Sequence, residues 1–213
     1  MKIEFFGQEL LLHHSGMAFW PSERIGIVSD LHLEKGSHFA VRGFLLPPYD
    51  SQDTLMRLLN VCQEHNIERL VILGDSFHDP KGYERMNDEA RKLLDQLRAF
   101  NPVWIKGNHD AYFVPENFLA YDEFQLEGLI FRHQAIPGAT AEISGHFHPK
   151  ISLNNGRLNR DCFITDGYKL IMPAFGAYTG GLSIQSPEIQ SLFNKECEIY
   201  ALGEKRIYNL KLL

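Results

Sequence analysis

The chain is poor in cysteine: its 213 residues carry three thiols, Cys62, Cys162 and Cys197, an odd number with no C-x-x-C spacing. That excludes a disulfide framework and a thiolate zinc site. No stretch approaches the ~20 consecutive apolar residues of a membrane span. The segment Met1–His14 has apolar patches broken by Glu4, Gln8 and Glu9 instead of the basic-then-apolar pattern of a signal peptide. A reduced, cytoplasmic setting without a membrane is expected. Positive charge is scarce as well, with 21 Lys and Arg against 27 Asp and Glu and a net charge of -6, which argues against a general electrostatic grip on nucleic acid. Divalent ions held locally would escape that count. No repeat, low-complexity tract or Gly/Ser/Pro-rich linker divides the chain, so residues 1–213 read as one domain, able to bury roughly 70% of its unfolded surface. Histidine, by contrast, is plentiful, with ten in the chain.

The first half alternates strands and helices. Lys2–His13 and Met17–Phe19 read as short hairpin strands, and Arg24–Ser29 as a buried strand. After a long connection containing Pro47-Pro48, Asp50 or Ser51 is placed to cap a helix to about His65, with Leu55, Leu58, Leu59 and Cys62 at helical spacing. Arg69–Leu73 is a second buried strand, Asn87–Phe100 a second amphipathic helix and Pro102–Lys106 a third strand. Such a series implies right-handed crossovers and a largely parallel sheet. Beyond Asp110 the pattern is of short strands: Glu123–Leu126, Leu129–His133, Ala141–Ser144, Lys150–Leu153, Asp161–Thr165, Tyr168–Met172 and a final pair within Ile199–Leu210. They suit an antiparallel or mixed second sheet. The expected fold class is α/β (α+β), two sheets face to face with helices outside.

Polar residues gather where these strands end: Asp30-Leu31-His32, Gly74-Asp75, Gly107-Asn108-His109-Asp110, His133 and Gly145-His146-Phe147-His148. Carboxyl ends of parallel strands share one edge, where open α/β folds place their ligands. Singly, each has an ordinary explanation as a turn or a helix cap. The conjunction decides, since His13, His14, His38 and His65 have no such placement. His146 and His148, two apart on an extended segment, are expected on one face. Imidazole, carboxylate and amide oxygen without thiolate suit manganese, iron or zinc. The candidates Asp30, His32, Asp75, Asn108, His133, His146 and His148 are too many for one ion and fit two, with one carboxylate bridging. Two ions ~3.5–4 Å apart form a clamp for in-line displacement at phosphorus.

The series Asp-x-His, Gly-Asp, Gly-Asn-His-Asp, His, Gly-His-x-His resembles the calcineurin-like metallophosphoesterase superfamily. The resemblance implies a four-layer α/β/β/α sandwich, two mixed sheets flanked by helices. It also implies one metal held by Asp30, His32, Asp75 and His148 and another by Asp75, Asn108, His133 and His146, with Asp75 as the bridge. Longer stretches, Ser29–Gly36, Leu45–Asp50, Gly74–Asp79, Gly145–Pro149 and Pro173–Gly181, are similar to one bacterial branch, the ligase-associated DNA damage response endonucleases (the PdeM family). This similarity implies two divalent ions, manganese foremost with iron or zinc as alternatives, and DNA, single-stranded for preference, as substrate. It also implies a DNA repair setting shared with an ATP-dependent DNA ligase, a helicase and an exonuclease.

In the mechanism so implied, a hydroxide bridging the ions attacks phosphorus in line and His109 protonates the leaving oxygen, a general-acid role worth about 10²–10⁴ in rate. His78 either joins in catalysis or phosphate contact, or caps a turn with Asp79. Several phosphatases of the superfamily have an Asp at this spacing, whereas the Mre11-type nucleases resemble this sequence in having Gly-Asp-x-Phe-His. One departure is Gln134 after His133, where many members have Gly, so His133 is the least secured ligand, with an edge-strand surface histidine as the alternative. The connection Lys35–Tyr49 is long for a βα loop. It offers Lys35 and Arg42 for backbone phosphate and Phe39, Phe44 and Tyr49 for an unstacked base, unless Phe44-Leu45-Leu46 merely packs on the core. The Gly-rich stretch Phe175–Gly181 lacks the Gly-Lys-Ser/Thr ending of a P-loop and is expected to support the rim of the site or allow close strand packing. Two other functions compete: a small-molecule phosphodiesterase or nucleotidase, and an inactive scaffold, which would lack ligands.

Overall fold

A computed structural model of the chain describes residues 1–44, 46–110, 114–115, 118–153, 156–193 and 195–211. The first sheet starts as an antiparallel meander, β1 (Lys2–Phe5), β2 (Gln8–Leu12), β3 (Ala18–Trp20) and β4 (Ile25–Val28). It continues in parallel through β5 (Arg69–Leu73), β6 (Val103–Ile105) and β7 (Leu119–Tyr121), so that the strands lie side by side in chain order. The segment expected as one strand, Lys2–His13, is two. Phe6 (φ 50) and Gly7 (φ 72) turn between them, with the paired positive φ values of a type I′ hairpin.

The connection from β4 to β5 carries α1 (Lys35–Val41) and α2 (Asp50–Glu64). That from β5 to β6 carries α3 (Gly82–Arg85) and α4 (Asp88–Gln96), which tightens into a last turn, Leu97–Phe100. Asn87 caps α4, its side chain accepting from Ala90 N. Neither Asp50 nor Ser51 caps α2, contrary to the sequence expectation; Tyr49 holds that place without a side-chain bond. Both are taken up instead by the start of α1. Ser51 Oγ accepts from Glu34 N and donates to Glu34 Oε1, each at 2.8 Å, and Asp50 Oδ2 accepts from Gly36 N at 2.9 Å. These bonds satisfy buried backbone donors and turn part of the expected loop Lys35–Tyr49 into an anchored helix.

Alternation along the strands sorts the core. Leu70 and Ile72 of β5 and Trp104 of β6 face Leu55, Leu58, Leu94 and Leu97 of the helical layer, while Val71, Leu73, Val103 and Ile105 face the second sheet. That sheet is built from β8 (Glu123–Leu126), β9 (Leu129–Arg132), β10 (Glu142–Ser144), β11 (Lys150–Leu153), β12 (Leu158–Thr165), β13 (Lys169–Ile171), β14 (Glu198–Leu202) and β15 (Ile207–Lys211). Its order is β15-β14-β12-β13-β10-β9-β8, with β11 paired to β12; β9, β10 and β13 run parallel and the other pairs antiparallel. Phe131, Phe163, Leu170 and Met172 meet Phe5 and Trp20 across the gap. On its outer face Cys162, Ile164, Ile171 and Ile199 lie under Ile184, Leu192 and Ile189 of the single-turn helix α5 (Pro187–Gln190). The implied sandwich of two mixed sheets flanked by helices is therefore present, thin on this side. All three thiols are free, and burial pushes each up to about 12. Among the described residues no helix is long and apolar enough to cross a membrane.

Leu58 is fully buried between α2 and the sheet, so Leu58→Ala should cost about 2–5 kcal/mol. Removing the α4 cap with Asn87→Ala should cost only about 1 kcal/mol. Urea denaturation of both variants checks the ranking, and equal costs would contradict the packing of α2.

Candidate metal centre

The carboxyl ends of β4, β5 and β6 stand next to one another in the first sheet, as do those of β9 and β10 in the second. Residues just past these ends form two groups. Asp30, His32 and His148 present ligand atoms within 4.8 Å of one another, and so do Asp75, His133 and His146. In the first, Asp30 Oδ1 lies 3.1 Å from His148 Nε2, which is 3.3 Å from His32 Nε2. In the second, His133 Nε2 lies 3.1 Å from His146 Nδ1, 3.4 Å from Asp75 Oδ2 and 3.0 Å from Asn108 Oδ1. All seven expected residues thus converge. Asp75 stands with the second group, and its link to the first is electrostatic, its charge acting on His32.

The backbone is forced into this arrangement. Asp30, His32, Asp75, His146 and His148 all have φ between 44° and 68°, a region that costs a non-glycine residue about 1–3 kcal/mol. Cross-strand bonds hold them there: Asp30 N donates to Gly74 O (3.2 Å), His32 N to Asp75 O (2.9 Å) and His146 N to Asp30 Oδ2 (2.9 Å). The expectation that His146 and His148 share a face of an extended segment is therefore wrong. They sit in a left-handed turn that sends one to each group.

Asp110, to which the sequence assigned no role, is the staple of the site. Fully buried, it accepts at Oδ1 from Gly107 N (2.9 Å) and at Oδ2 from Ser76 N (2.7 Å) and Phe77 N (3.3 Å), tying the end of β6 to the end of β5. The one available signal was its short polar side chain in a Gly-x-x-Asp turn. Two glycines permit the close approach: a Cβ on Gly107 would lie 2.1 Å from Asp75 N, and one on Gly176 would lie 2.0 Å from Leu31 O. The Gly176 contact explains the Gly-rich stretch, since Phe175 N donates to Ser29 O and Gly176 N to Asp30 O, backing the first group.

His133 is buried, not a surface histidine, and β9 lies between β8 and β10 instead of at an edge. Its Nδ1 donates to Leu73 O at 2.8 Å, which turns Nε2 to the site. Gln134 does no harm because the following turn is secured elsewhere, by Ile136 N donating to buried Glu142.

Burial would raise the Asp30 carboxyl, but the close imidazole of His148, with His133 and His32, holds it below the carboxylate range. Asp75, also raised by burial, is brought down to about 2, chiefly by His133. Burial lowers His32 to about 3, so its imidazole is neutral, the form that ligates metal. His133 goes the other way: burial lowers it, but Asp75 and Asp30 raise it to about 9, so a cation bound there displaces a proton. The buried Asp30 Oδ1 has no aligned hydrogen-bond donor among the described residues. A carboxylate oxygen left open amid imidazole nitrogens fits a divalent ion.

His109 stands beside the second group, its Nε2 3.9 Å from Asp75 Oδ2 and its Nδ1 2.8 Å from His78 O. His78 does not cap the turn; Asp79 does, accepting from Lys81 N. The His78 ring stacks with His109 (5.4 Å, 19°) and Phe39 (5.9 Å, 24°), and burial, with Lys35, His38 and His109, lowers it to about 4. His38, set aside in the sequence, is brought in by α1: its ring meets His78 at 4.6 Å, and its Nδ1 lies 2.7 Å from Asp79 Oδ2, which also pairs with Arg85. Reading Lys35–Val41 as a helix would have exposed that contact. Lys35 opens α1 with its charge felt at His32 and His78, whereas Arg42 lies exposed past the far end of the helix. Phe44 is 67% exposed and does not pack on the core; Leu45 lies outside the described residues.

Two groups of oxygen and nitrogen ligands at the joined ends of two mixed sheets define a metal-dependent phosphoesterase. Residues 23–173 match the family model of calcineurin-like phosphoesterases, and the chain belongs to that family. It is similar to nuclease MPE of Pseudomonas putida, whose crystal structure aligns over 99% of both chains at 28% identity with a TM-score of 0.77. The phosphoesterase Yfce of E. coli aligns over 84% of this chain and 88% of its own, at 16% identity and a TM-score of 0.43, too distant to bear on the site. No curated protein matches the sequence.

Removing the staple with Asp110→Ala leaves buried donors of Gly107 and Ser76 unpaired and should lower bound metal below that of the unaltered protein. Metal counting by plasma mass spectrometry checks this, and undiminished occupancy would show that the strand ends hold without it.

Proposed function

We propose that this phosphoesterase is a two-metal phosphodiesterase that cuts single-stranded DNA internally, residues 1–213 acting as one domain. The observation that carries the reading is the convergence of Asp30, His32 and His148 and of Asp75, Asn108, His133 and His146, with His109 alongside. Similarity to a nuclease over the whole chain supports nucleic acid as the substrate. Asp75 is the proposed bridge, and manganese the proposed metal, with iron or zinc as alternatives compatible with the same ligands. A place in cytoplasmic DNA repair, beside an ATP-dependent ligase, a helicase and an exonuclease, belongs to the same proposal.

A pair of divalent ions, when bound, activates water for attack on phosphorus and neutralises the non-bridging oxygens. The remaining chemistry falls to the chain. The bond from His109 Nδ1 to His78 O fixes the ring with Nε2 toward the site. A proton on Nε2 passes to the leaving oxygen as its bond to phosphorus breaks. His78, neutral and stacked on His109, holds that ring in place. Lys35 offers its charge to a phosphate at the rim; Arg42 is too exposed to do more than meet a distant one.

The net charge of -6 favours a second reading, a small-molecule phosphodiesterase or nucleotidase. A manganese-supplemented assay on closed circular single-stranded DNA, a simple phosphodiester and a phosphomonoester separates the two. Cleavage of the circle is expected, and hydrolysis confined to the monoester would sink the nuclease reading. His109→Ala should keep both metals and lose about 10²–10⁴ in kcat; full activity would remove it from the acid role. His133→Ala should lower the bound metal from two ions per chain to one.

A further inference from the structure

Four rings follow one another away from the metal centre. His109, with Nε2 3.9 Å from Asp75 Oδ2, stacks with His78, His78 stacks with Phe39, and Phe39 meets Phe44 edge-on at 6.5 Å and 84°. The series begins at the group placed to protonate the leaving oxygen and ends in solvent, where Phe44 is 67% exposed. A large apolar ring held in water at the end of such a file has an unused face.

The support under it is firm. Gly36 N is bonded to Asp50, Ser37 Oγ accepts from Arg85 Nε at 3.0 Å, and His38 pairs with Asp79, itself gripped by Arg85. These contacts pin α1 to α2 and α3, so Phe39 stands on an anchored helix, with Phe44 just beyond its end. A pre-positioned aromatic corner suits a flat ligand, and every nucleobase offers a π face regardless of sequence. Lys35, at the opposite end of the same helix, adds charge where a strand's phosphates would pass.

Resting on the nuclease reading above, we propose that Phe39 and Phe44 form a stacking subsite for the base of the nucleotide on the leaving side of the scissile phosphate. His109 fixes the direction: the leaving oxygen lies at its Nε2, and the rings extend outward from there. The subsite demands an unpaired base at that position, so duplex DNA, whose bases stack on one another, is a poor substrate.

The test uses a single-stranded oligonucleotide with one cleavable phosphodiester, its other linkages blocked as methylphosphonates, and an abasic residue placed on either side of the cleavable bond. The leaving side is the fragment released with a new hydroxyl end. With the unaltered protein and manganese, an abasic residue on that side should lower kcat/KM about tenfold or more, and one on the other side far less. Phe44→Ala should show the same loss on the intact strand and become indifferent to the leaving-side base, while Phe44→Trp restores the preference. Metal counts on both variants confirm an intact site. Equal losses by Phe44→Ala on intact and abasic strands, or a larger effect from the other side, would overturn the subsite. Failure of the unaltered protein to cut any of the strands would overturn the nuclease reading itself, and the subsite with it.

Discussion

Two buried carboxylates, Asp30 and Asp75, must stay ionised at the floor of the site. An isolated buried carboxylate would instead take up a proton. Each is therefore surrounded by donors and imidazoles: Ser29 Oγ and His146 N donate to Asp30 beside the His148 ring, and His109 N donates to Asp75 beside the His133 ring. The unusual backbone around the site follows from that requirement. Left-handed turns at five of the seven converging residues, glycines where a methyl group would collide, and the Asp110 staple all serve to bring charge and donors within a few bonds of each other.

The same requirement explains why two sheets are needed. One sheet supplies Asp30, His32, Asp75 and Asn108 past β4, β5 and β6; the other supplies His133, His146 and His148 past β9 and β10. The spacing between the two sets is fixed by the buried apolar layer of Trp20, Phe131, Phe163 and Leu170 between the sheets, since close-packed interiors yield little. Geometry at the site is thus a property of the core. Part of the negative charge of the chain also changes meaning, since Asp30 and Asp75 are positioned to be offset by imidazole and by divalent cations instead of facing solvent.

Strands with continuous apolar runs, such as Arg69–Leu73, were legible at their true bounds, because burial on both faces leaves a run no other pattern produces. The site residues were legible for a related reason: each stands directly after such a run. The helix α1 was not, since only Gly36 within it is buried and its stability comes from Asp50 and Ser51, far along the chain. His38 was overlooked with it. The hairpin turn at Phe6-Gly7 was missed because the apolar patches on either side merge into one run when read without the turn.

By itself, the sequence determined which residues could serve as ligands, the order in which strands deliver them and the family to which the chain belongs, because these depend on local patterns of burial and polarity. Tertiary structure alone decided how these candidates divide. His146 and His148, two positions apart, go to different groups, and His133, from the second sheet, joins Asp75 from the first. It also decided that Phe39 and Phe44 continue the series of rings that starts at His109 and runs through His78, instead of joining the core. Those outcomes rest on turns held by hydrogen bonds between segments remote in sequence, and no local pattern encodes which remote donor a turn will find.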